Sequence, residues 1–79
     1  MRLDKFLKNS GLIKRRTVAK EACDGGRIQV NGQVAKAGTK LKVGDRISIG
    51  LGDKELDVKV SALLEHVPKG DADRMYEII

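Results

Sequence analysis

Apolar residues in the first third of the chain recur with the spacing of amphipathic helices. The first such face consists of Leu3, Phe6 and Leu7, at positions i, i+3 and i+4. The second consists of Val18, Ala19, Ala22 and Cys23. An Asn-Ser-Gly stretch at residues 9–11 carries a stop signal between them, and Asp-Gly-Gly at residues 24–26 ends the second run. The pattern predicts two short helices, over residues 2–9 and 14–24, that form an αα-hairpin.

Beyond residue 26 the period of the apolar positions changes to two, which is typical of strands. The alternating apolar residues are Ile28, Val30, Val34, Ile47, Ile49, Leu51, Leu56, Val58 and Val60. Turn residues separate them at Asn31-Gly32, at Gly44-Asp45 and at residues 52–54. Asn-Gly favours a tight two-residue hairpin turn. Such a turn requires positive φ at both of its central positions, which Asn and Gly adopt readily. We expect a small, twisted antiparallel sheet with one face covered by the helices.

The end of the chain gives a weaker pattern. The stretch from residue 61 fits either a helical turn or an extended packing segment, and residues 68–73 read as a polar loop. Residues 74–79 could dock as a final strand or fray. The predicted fold class is α+β, an N-terminal two-helix hairpin packed on a small twisted antiparallel sheet. We assign residues 1–61 to one domain and residues 62–79 to a tail that packs on it or is partly mobile.

Positive charge is concentrated at one end of the sequence. The net charge is +5, and residues 1–20 hold seven basic side chains against the single acid Asp4, a local +6. Residues 21–79 hold nine basic and ten acidic side chains, a net −1. This asymmetry indicates a polyanionic partner, either nucleic acid or an anionic membrane, although a merely solvated basic face has the same composition.

Other features argue against a membrane protein and against an enzyme. No apolar run approaches the roughly 20 residues of a spanning helix. The chain has no Trp and one Phe, whereas an interfacial helix needs several such residues, and we recognise no secretory signal. Cys23 is the only cysteine and His66 the only histidine, so neither a metal cluster nor a nucleophile–base pair is expected. We predict a cytoplasmic, non-enzymatic protein without metal or cofactor.

Basic side chains are the candidate binding residues. Arg16 and Lys20 lie one helical turn apart, which suits adjacent phosphates of an RNA strand, and Arg2 and Lys5 would extend the patch from the first helix. The full candidate set is Arg2, Lys5, Lys8, Lys14, Arg15, Arg16, Lys20, Arg27 and Lys36. Exposed aromatic rings for stacking splayed bases are nearly absent, so structured RNA read through its backbone is the expected target.

Structural roles compete with RNA binding at several of these residues. Arg16 could pair with an acid and brace the helical hairpin, and Arg2 could be held by Asp4 or by the C-terminal tail. We expect Asp4 to be a local ion-pair partner that orients an arginine. The predicted first turn of the second helix contains Lys14 and Arg15, where the helix dipole does not favour cations. That placement indicates that these two residues serve a partner.

The order of elements and four motifs resemble the RNA-binding domain named after ribosomal small-subunit protein S-four, also called the alpha-L motif. The matching stretches are RLDKFL at 2–7, RTVAK at 16–20, GRIQVNG at 26–32 and VGDRISI at 43–49. Arg15 departs from the pattern, because many members carry a small hydroxyl residue there. Together these stretches cover about the first fifty residues, and the resemblance implies that the domain assigned to residues 1–61 is an RNA-binding alpha-L domain.

The opening MRLDKFLK, the stretch LIKRRTVAKE and the MYEII end resemble stand-alone members of this family that act in bacterial ribosome-associated quality control. That resemblance implies binding to large ribosomal subunits obstructed by peptidyl-tRNA, with contacts to large-subunit rRNA and tRNA. It also implies support for C-terminal alanine tailing by an RqcH-like factor, and we expect a monomer off the ribosome.

Two alternatives stay open. The fifteen-kilodalton heat-shock proteins, which resemble the chain less closely, would recycle blocked large subunits without alanine tailing, although they carry a longer basic C-terminal extension. The other alternative is not RNA binding at all: the chain would be a protein-interaction module that docks a partner protein through its acidic second half or its apolar tail.

Overall fold

The computed structural model describes residues 1–68 and 70–79, and it describes Leu51 by its backbone alone. Two features predicted from the sequence therefore lie outside the described residues. They are the part of the polar loop at Lys69 and the side chain of Leu51 on its strand face. No helix in the described part of the chain is long and apolar enough to cross a membrane.

Two α-helices come first in the chain, α1 at Leu3–Asn9 and α2 at Arg16–Asp24. α1 agrees with its predicted range to within one residue. The predicted start of α2 is wrong by two residues, because the chain bends at residues 12–14 and Arg15 has an extended backbone, with φ −120° and ψ 134°. Lys14 and Arg15 therefore precede the helix, and the helix dipole no longer argues that they serve a partner.

The predicted apolar stripe of α2 is confirmed only in part. Ala19 and Cys23 are buried and Ala22 is half-buried, but Val18 is 47% exposed. The small side chains at Ala19 and Cys23 let α2 lie close to the core along a narrow line. Val18 sits at the edge of that line and remains in solvent.

Five short strands form the rest of the framework. They are β1 at Ile28–Val30, β2 at Gln33–Val34, β3 at Arg46–Leu51, β4 at Lys54–Val60 and β5 at Tyr76–Ile78. All neighbours in the sheet are antiparallel, in the order β2-β1-β3-β4-β5. The predicted turn joins β1 to β2, with φ of 53° at Asn31 and 83° at Gly32. The predicted α+β fold is confirmed.

The hydrophobic core lies between the two helices and one face of the sheet. Its buried members are Leu3, Phe6, Leu7, Ala19, Cys23, Ile28, Ala35, Ala37, Leu41, Ile47, Ile49, Val58, Val60 and Met75. The helical members have the i, i+3, i+4 spacing and the strand members the alternation that the sequence predicted. Burial of this face therefore fixes the strand register, since a slip by one residue would turn the same side chains to solvent.

The end of the chain is built into this framework. β5 pairs with β4, with Tyr76 opposite Val60, and the preceding 3₁₀ turn at Ala72–Met75 buries the Met75 side chain completely. Of the two predicted alternatives for residues 74–79, the final strand is the one that forms. Residues 61–64 form neither helix nor strand, and Leu63 and Leu64 pack against the core. The division of the chain at residue 61 stays a prediction.

The N-terminus is hydrogen-bonded to the loop between β2 and β3. The Leu3 N–H donates to the Thr39 carbonyl at 2.8 Å, and the Leu41 N–H donates to the Met1 carbonyl at 2.9 Å. Arg2 and Lys40 lie opposite each other in an isolated antiparallel bridge. These bonds hold Arg2, the first basic residue of the chain, against a loop that is remote in sequence.

Candidate nucleic-acid interface

A shallow pocket on the helical side of the molecule gathers part of the predicted basic set. Its volume is about 310 Å³, and it is lined by Arg2, Asp4, Arg16, Thr17 and Lys20. Arg2 occupies the N-cap position of α1, Asp4 lies in its first turn, and the other three residues lie on one side of α2. We call this feature the Asp4 pocket.

The carboxylate of Asp4 organises the pocket. Asp4 is buried, with 3% exposure. Oδ1 accepts hydrogen bonds from the Nε of Arg2 at 3.2 Å and from the Lys5 backbone N–H at 2.8 Å. Oδ2 accepts a hydrogen bond from the Nε of Arg16 at 3.4 Å, across the two helices. The prediction that Asp4 orients an arginine is confirmed, and the bracing role for Arg16 is present as well.

The hydrogen bonds to Asp4 leave other N–H donors of Arg2 and Arg16 available for a ligand. A guanidinium carries five N–H donors, and each of these arginines turns its Nε towards Asp4. The side chains of Arg2 and Arg16 remain 53% and 52% exposed. With Lys20, the pocket holds three cationic groups against one carboxylate. It can therefore bind an anion, and the terminal guanidinium nitrogens suit the two-point grip that Arg makes on phosphate.

Lys5 and Lys8 are not brought into the Asp4 pocket. The ammonium of Lys5 pairs with Glu65, in the segment that follows β4. The hydrogen bond from Lys5, with its positive charge, lowers the pKa of the Glu65 carboxyl below its ordinary value. Lys8 borders a separate surface depression together with Glu65 and His66. Both lysines thus face the C-terminal segment, and His66 is exposed beside them.

Three more of the predicted basic residues lie in two further places. Lys14 and Arg15 are exposed in the connection that leads into α2. Arg27 borders a depression on the sheet that also contains Lys54 and the acids Asp53 and Glu55, so basic and acidic side chains are balanced there. These three residues extend the basic character of the surface without lining the Asp4 pocket.

Lys36 belongs to a second basic region that the sequence did not reveal as a unit. It shares a groove with Lys40 and Lys42, two residues absent from the predicted set. Thr17, which lines the Asp4 pocket, was also missed. Helical spacing could have found Thr17, since it lies three residues before Lys20. No local signal points to Lys40, because it meets Arg2 through the isolated bridge.

Cys23 has no binding role in this arrangement. Its side chain is 1% exposed, which confirms the predicted small core residue. Burial, with smaller contributions from the charges of Asp4 and Asp24, raises the pKa of its thiol to about 11. The thiolate that metals and electrophiles require is therefore disfavoured. Among residues 1–68 and 70–79, no group of His, Cys, Asp and Glu side chains is suited to hold a metal ion.

Comparison with known proteins gives consistent matches. The S4 domain family model matches residues 1–47. Two proteins named RQC P-site tRNA stabilizing factor are similar over nearly the whole chain. The Halalkalibacterium halodurans protein is 56% identical, over 99% of this chain and 89% of its own length. The Streptococcus pneumoniae protein is 58% identical, over 100% of this chain and 90% of its own length.

A solved structure supports the fold. The trimeric structure of Vibrio cholerae Heat Shock Protein 15 superposes with a TM-score of 0.91 at 26% sequence identity. The match covers 100% of this chain and 81% of the Vibrio cholerae chain. The helical hairpin, the sheet and the C-terminal strand are therefore shared with a protein of a different name.

Proposed function

Since the chain belongs to the S4 domain family and, more narrowly, to the RQC P-site tRNA stabilizing factors, we propose that it binds RNA on the ribosome and catalyses no reaction. The name of the relatives points to P-site tRNA as one partner. The Asp4 pocket, which pre-positions two half-exposed guanidiniums, is the observation that carries the proposal to this chain.

RNA helices suit this kind of pocket. Their bases lie in a deep, narrow groove, so proteins contact mainly phosphates, 2′-hydroxyls and overall shape. Such contacts require cations at fixed spacing on a rigid support. Arg2 and Arg16 are held by one buried carboxylate that joins two helices, so little side-chain entropy is lost when a phosphate binds. Lys20, one turn beyond Arg16, supplies a point charge for the next phosphate.

The finer proposal concerns the ribosomal setting. The protein associates with large subunits obstructed by peptidyl-tRNA, contacts large-subunit rRNA and the tRNA, and holds the tRNA in place by backbone contacts. It thereby supports C-terminal alanine tailing of the stalled chain by an RqcH-like factor, in the cytoplasm and as a monomer off the ribosome. The resemblance in the sequence and the names of the relatives support this setting.

The predicted contact residues differ in their expected weight. We propose that Arg2, Arg16 and Lys20 make the principal phosphate contacts, because they line one pocket. The peripheral set is Lys5, Lys8, Lys14, Arg15, Arg27 and Lys36. Lys5 and Arg27 should contribute least to phosphate binding. Lys5 is paired with Glu65, and Arg27 lies beside a depression that contains the acids Asp53 and Glu55.

Arg16→Gln tests the proposal. Arg74→Gln is the matched control, because Arg74 is also an exposed arginine paired with an acid, Asp71 at 3.7 Å, and does not line the pocket. Hydrogen bonds to charged groups contribute about 1.5–3 kcal/mol, so Arg16→Gln should weaken binding to large subunits by about 10- to 150-fold. Co-sedimentation of the tagged protein with large subunits on sucrose gradients measures this. Equal binding by both variants would contradict the proposal.

A second candidate function is the recycling of blocked subunits without tailing. The TM-score of 0.91 to Heat Shock Protein 15 favours it, because the whole framework of this chain is shared. Large subunits purified through a tag on this protein would separate the two functions. Nascent chains that carry C-terminal alanines support the tailing role. Chains that lack them on subunits that still hold peptidyl-tRNA support the recycling role.

A further inference from the structure

A second basic surface lies on the β2–β3 loop. A shallow groove of about 450 Å³ there is bordered by three lysines and by neutral side chains, namely Lys36, Lys40, Lys42, Gln33, Val34 and Thr39. All three lysines are exposed. None of them takes part in an ion pair within the described part of the chain. The groove, called here the loop groove, therefore presents three ammonium groups to solvent.

The acid at the edge of the loop groove is occupied by the loop itself. Asp45 also borders the groove. Its Oδ2 accepts a hydrogen bond from the Lys42 backbone N–H at 2.9 Å, and its Oδ1 accepts one from the Asn31 side-chain amide at 3.2 Å. The carboxylate thus shapes the loop and joins it to the β1–β2 turn, and it forms no ion pair with the Lys42 ammonium.

The loop groove and the Asp4 pocket meet at Arg2. Residues directly opposite each other in an antiparallel pair point to the same face, so the bridge places the side chains of Arg2 and Lys40 side by side. The Arg2 guanidinium also lies over Gly38, where an added Cβ would be 3.9 Å from a terminal nitrogen of Arg2. Cationic groups therefore continue from Lys20 in the pocket, through Arg2, to Lys40 in the groove.

We propose that the loop groove is a second RNA-binding surface, which takes the phosphate–ribose backbone of structured RNA and extends the Asp4 pocket across Arg2 into one interface. The inference rests on the proposed function and adds the β2–β3 loop to it. Lys40 and Lys42, with Lys36, contact phosphates as point charges.

The neutral side chains of the loop groove favour RNA over other polyanions. The wide, shallow groove of an RNA helix displays 2′-hydroxyls and ribose faces between its phosphates. Thr39 accepts a hydrogen bond from the Lys36 backbone N–H at 3.0 Å, which leaves its own hydroxyl proton to donate. Gln33 offers an amide, and Val34, 61% exposed, offers an apolar surface for a ribose. Lysines for phosphate thus flank groups suited to the sugar.

Salt titration of three proteins tests the proposal. They are the wild type, the variant K36Q/K40Q/K42Q and the charge-matched control K54Q/K59Q/R74Q, whose residues are exposed outside both surfaces. Each phosphate contact adds about 0.7–0.9 to the slope of log K against log salt. The loop variant should therefore lose about 2 from that slope on purified large subunits, and the control should keep the wild-type slope.

Separate arms identify the RNA. A slope loss on bare large subunits assigns the loop groove to ribosomal RNA, and a loss seen only with subunits that carry P-site tRNA, or with tRNA alone, assigns it to tRNA. Either result supports the proposal. An unchanged slope for the loop variant, or an equal loss in the control, overturns it.

Failure of the inference can be distinguished from failure of the proposed function. A steep wild-type slope that the loop variant retains would leave RNA binding intact and remove only the loop groove from it. A flat wild-type slope would contradict RNA binding itself. Should the triple variant not fold, Val34→Asp places a single carboxylate in the loop groove at an exposed position and should weaken binding at least fivefold. Unchanged binding by folded Val34→Asp overturns the inference.

Discussion

Asp4→Asn removes the charge that holds the two principal arginines while keeping the size of the side chain. The asparagine retains one acceptor oxygen and replaces the other with an NH₂ donor. At least one of the two Nε groups, of Arg2 at 3.2 Å or of Arg16 at 3.4 Å, then faces a donor or loses its partner. The Lys5 backbone N–H competes for the remaining oxygen. The substitution therefore loosens α1 from α2 and both arginines from their positions.

The size of the effect follows from burial. Hydrogen bonds to charged groups contribute about 1.5–3 kcal/mol, and exposed ion pairs about 0–1 kcal/mol. The Asp4 carboxylate is buried but both arginine side chains are about half exposed, so we expect a total loss of about 1–2 kcal/mol in the free energy of unfolding. For a domain of this size that corresponds to a fall in Tm of roughly 5–15 °C.

Binding should weaken together with stability. Asp4→Asn raises the net charge of the protein, so a simple count of charges predicts tighter RNA binding. Loss of arginine positioning predicts the opposite. If the phosphate contacts weaken by about 1–2 kcal/mol, the affinity for RNA falls by about 5- to 30-fold. Thermal melts followed by circular dichroism and equilibrium binding to tRNA-carrying large subunits below the Tm measure the two effects.

Asp53→Asn is the control for both measurements. Asp53 is exposed in the β3–β4 turn, where asparagine is equally compatible. Unchanged or tighter binding by Asp4→Asn would refute the positioning role of Asp4. An unchanged Tm would refute the estimate of its contribution to the fold.

Three further predictions concern the core and the junction at Arg2. Because burial raises the pKa of the Cys23 thiol to about 11, the unfolded state loses this proton at lower pH than the folded state. Urea titrations should show stability falling by about 2–3 kcal/mol between about pH 9 and 11, a decline that Cys23→Ala should lack. Met75→Ala should cost about 2–5 kcal/mol in the same assay, whereas Ile79→Ala, at a 60% exposed position, should cost less than about 0.5 kcal/mol; equal effects would contradict a structural role for the C-terminal segment. Gly38→Asp places a carboxylate beside the Arg2 guanidinium without needing a positive φ, so it should weaken RNA binding with little change in Tm, and unchanged binding would count against Arg2.

Periodicity predicted most of the framework because burial enforces it. Phe6 and Leu7 on α1, and Ile47 and Val58 on facing strands, are all buried as their spacing indicates. The start of α2 could not be placed in this way. Its N-cap is Arg15, which makes no side-chain capping bond, so the sequence lacks the Ser, Thr, Asp or Asn signal that marks a helix start.

The candidate site was predictable where it depends on local spacing and unpredictable where it depends on distant pairing. Arg16 and Lys20 were found because residues four apart on a helix are neighbours. The engagement of Lys5 by Glu65 joins residues 60 positions apart. The meeting of Arg2 with Lys40 depends on a bridge between the N-terminus and the β2–β3 loop. Neither pairing leaves a local pattern in the sequence.

RNA phosphates should occupy the Asp4 pocket when the protein is bound to the ribosome. A cryo-EM structure of the protein on a large ribosomal subunit obstructed by peptidyl-tRNA tests it most directly. We expect terminal guanidinium nitrogens of Arg2 and Arg16 to lie within about 2.7–3.2 Å of RNA phosphate oxygens, with the Nε groups still directed at Asp4. A bound protein whose Asp4 pocket faces solvent or another protein would contradict it.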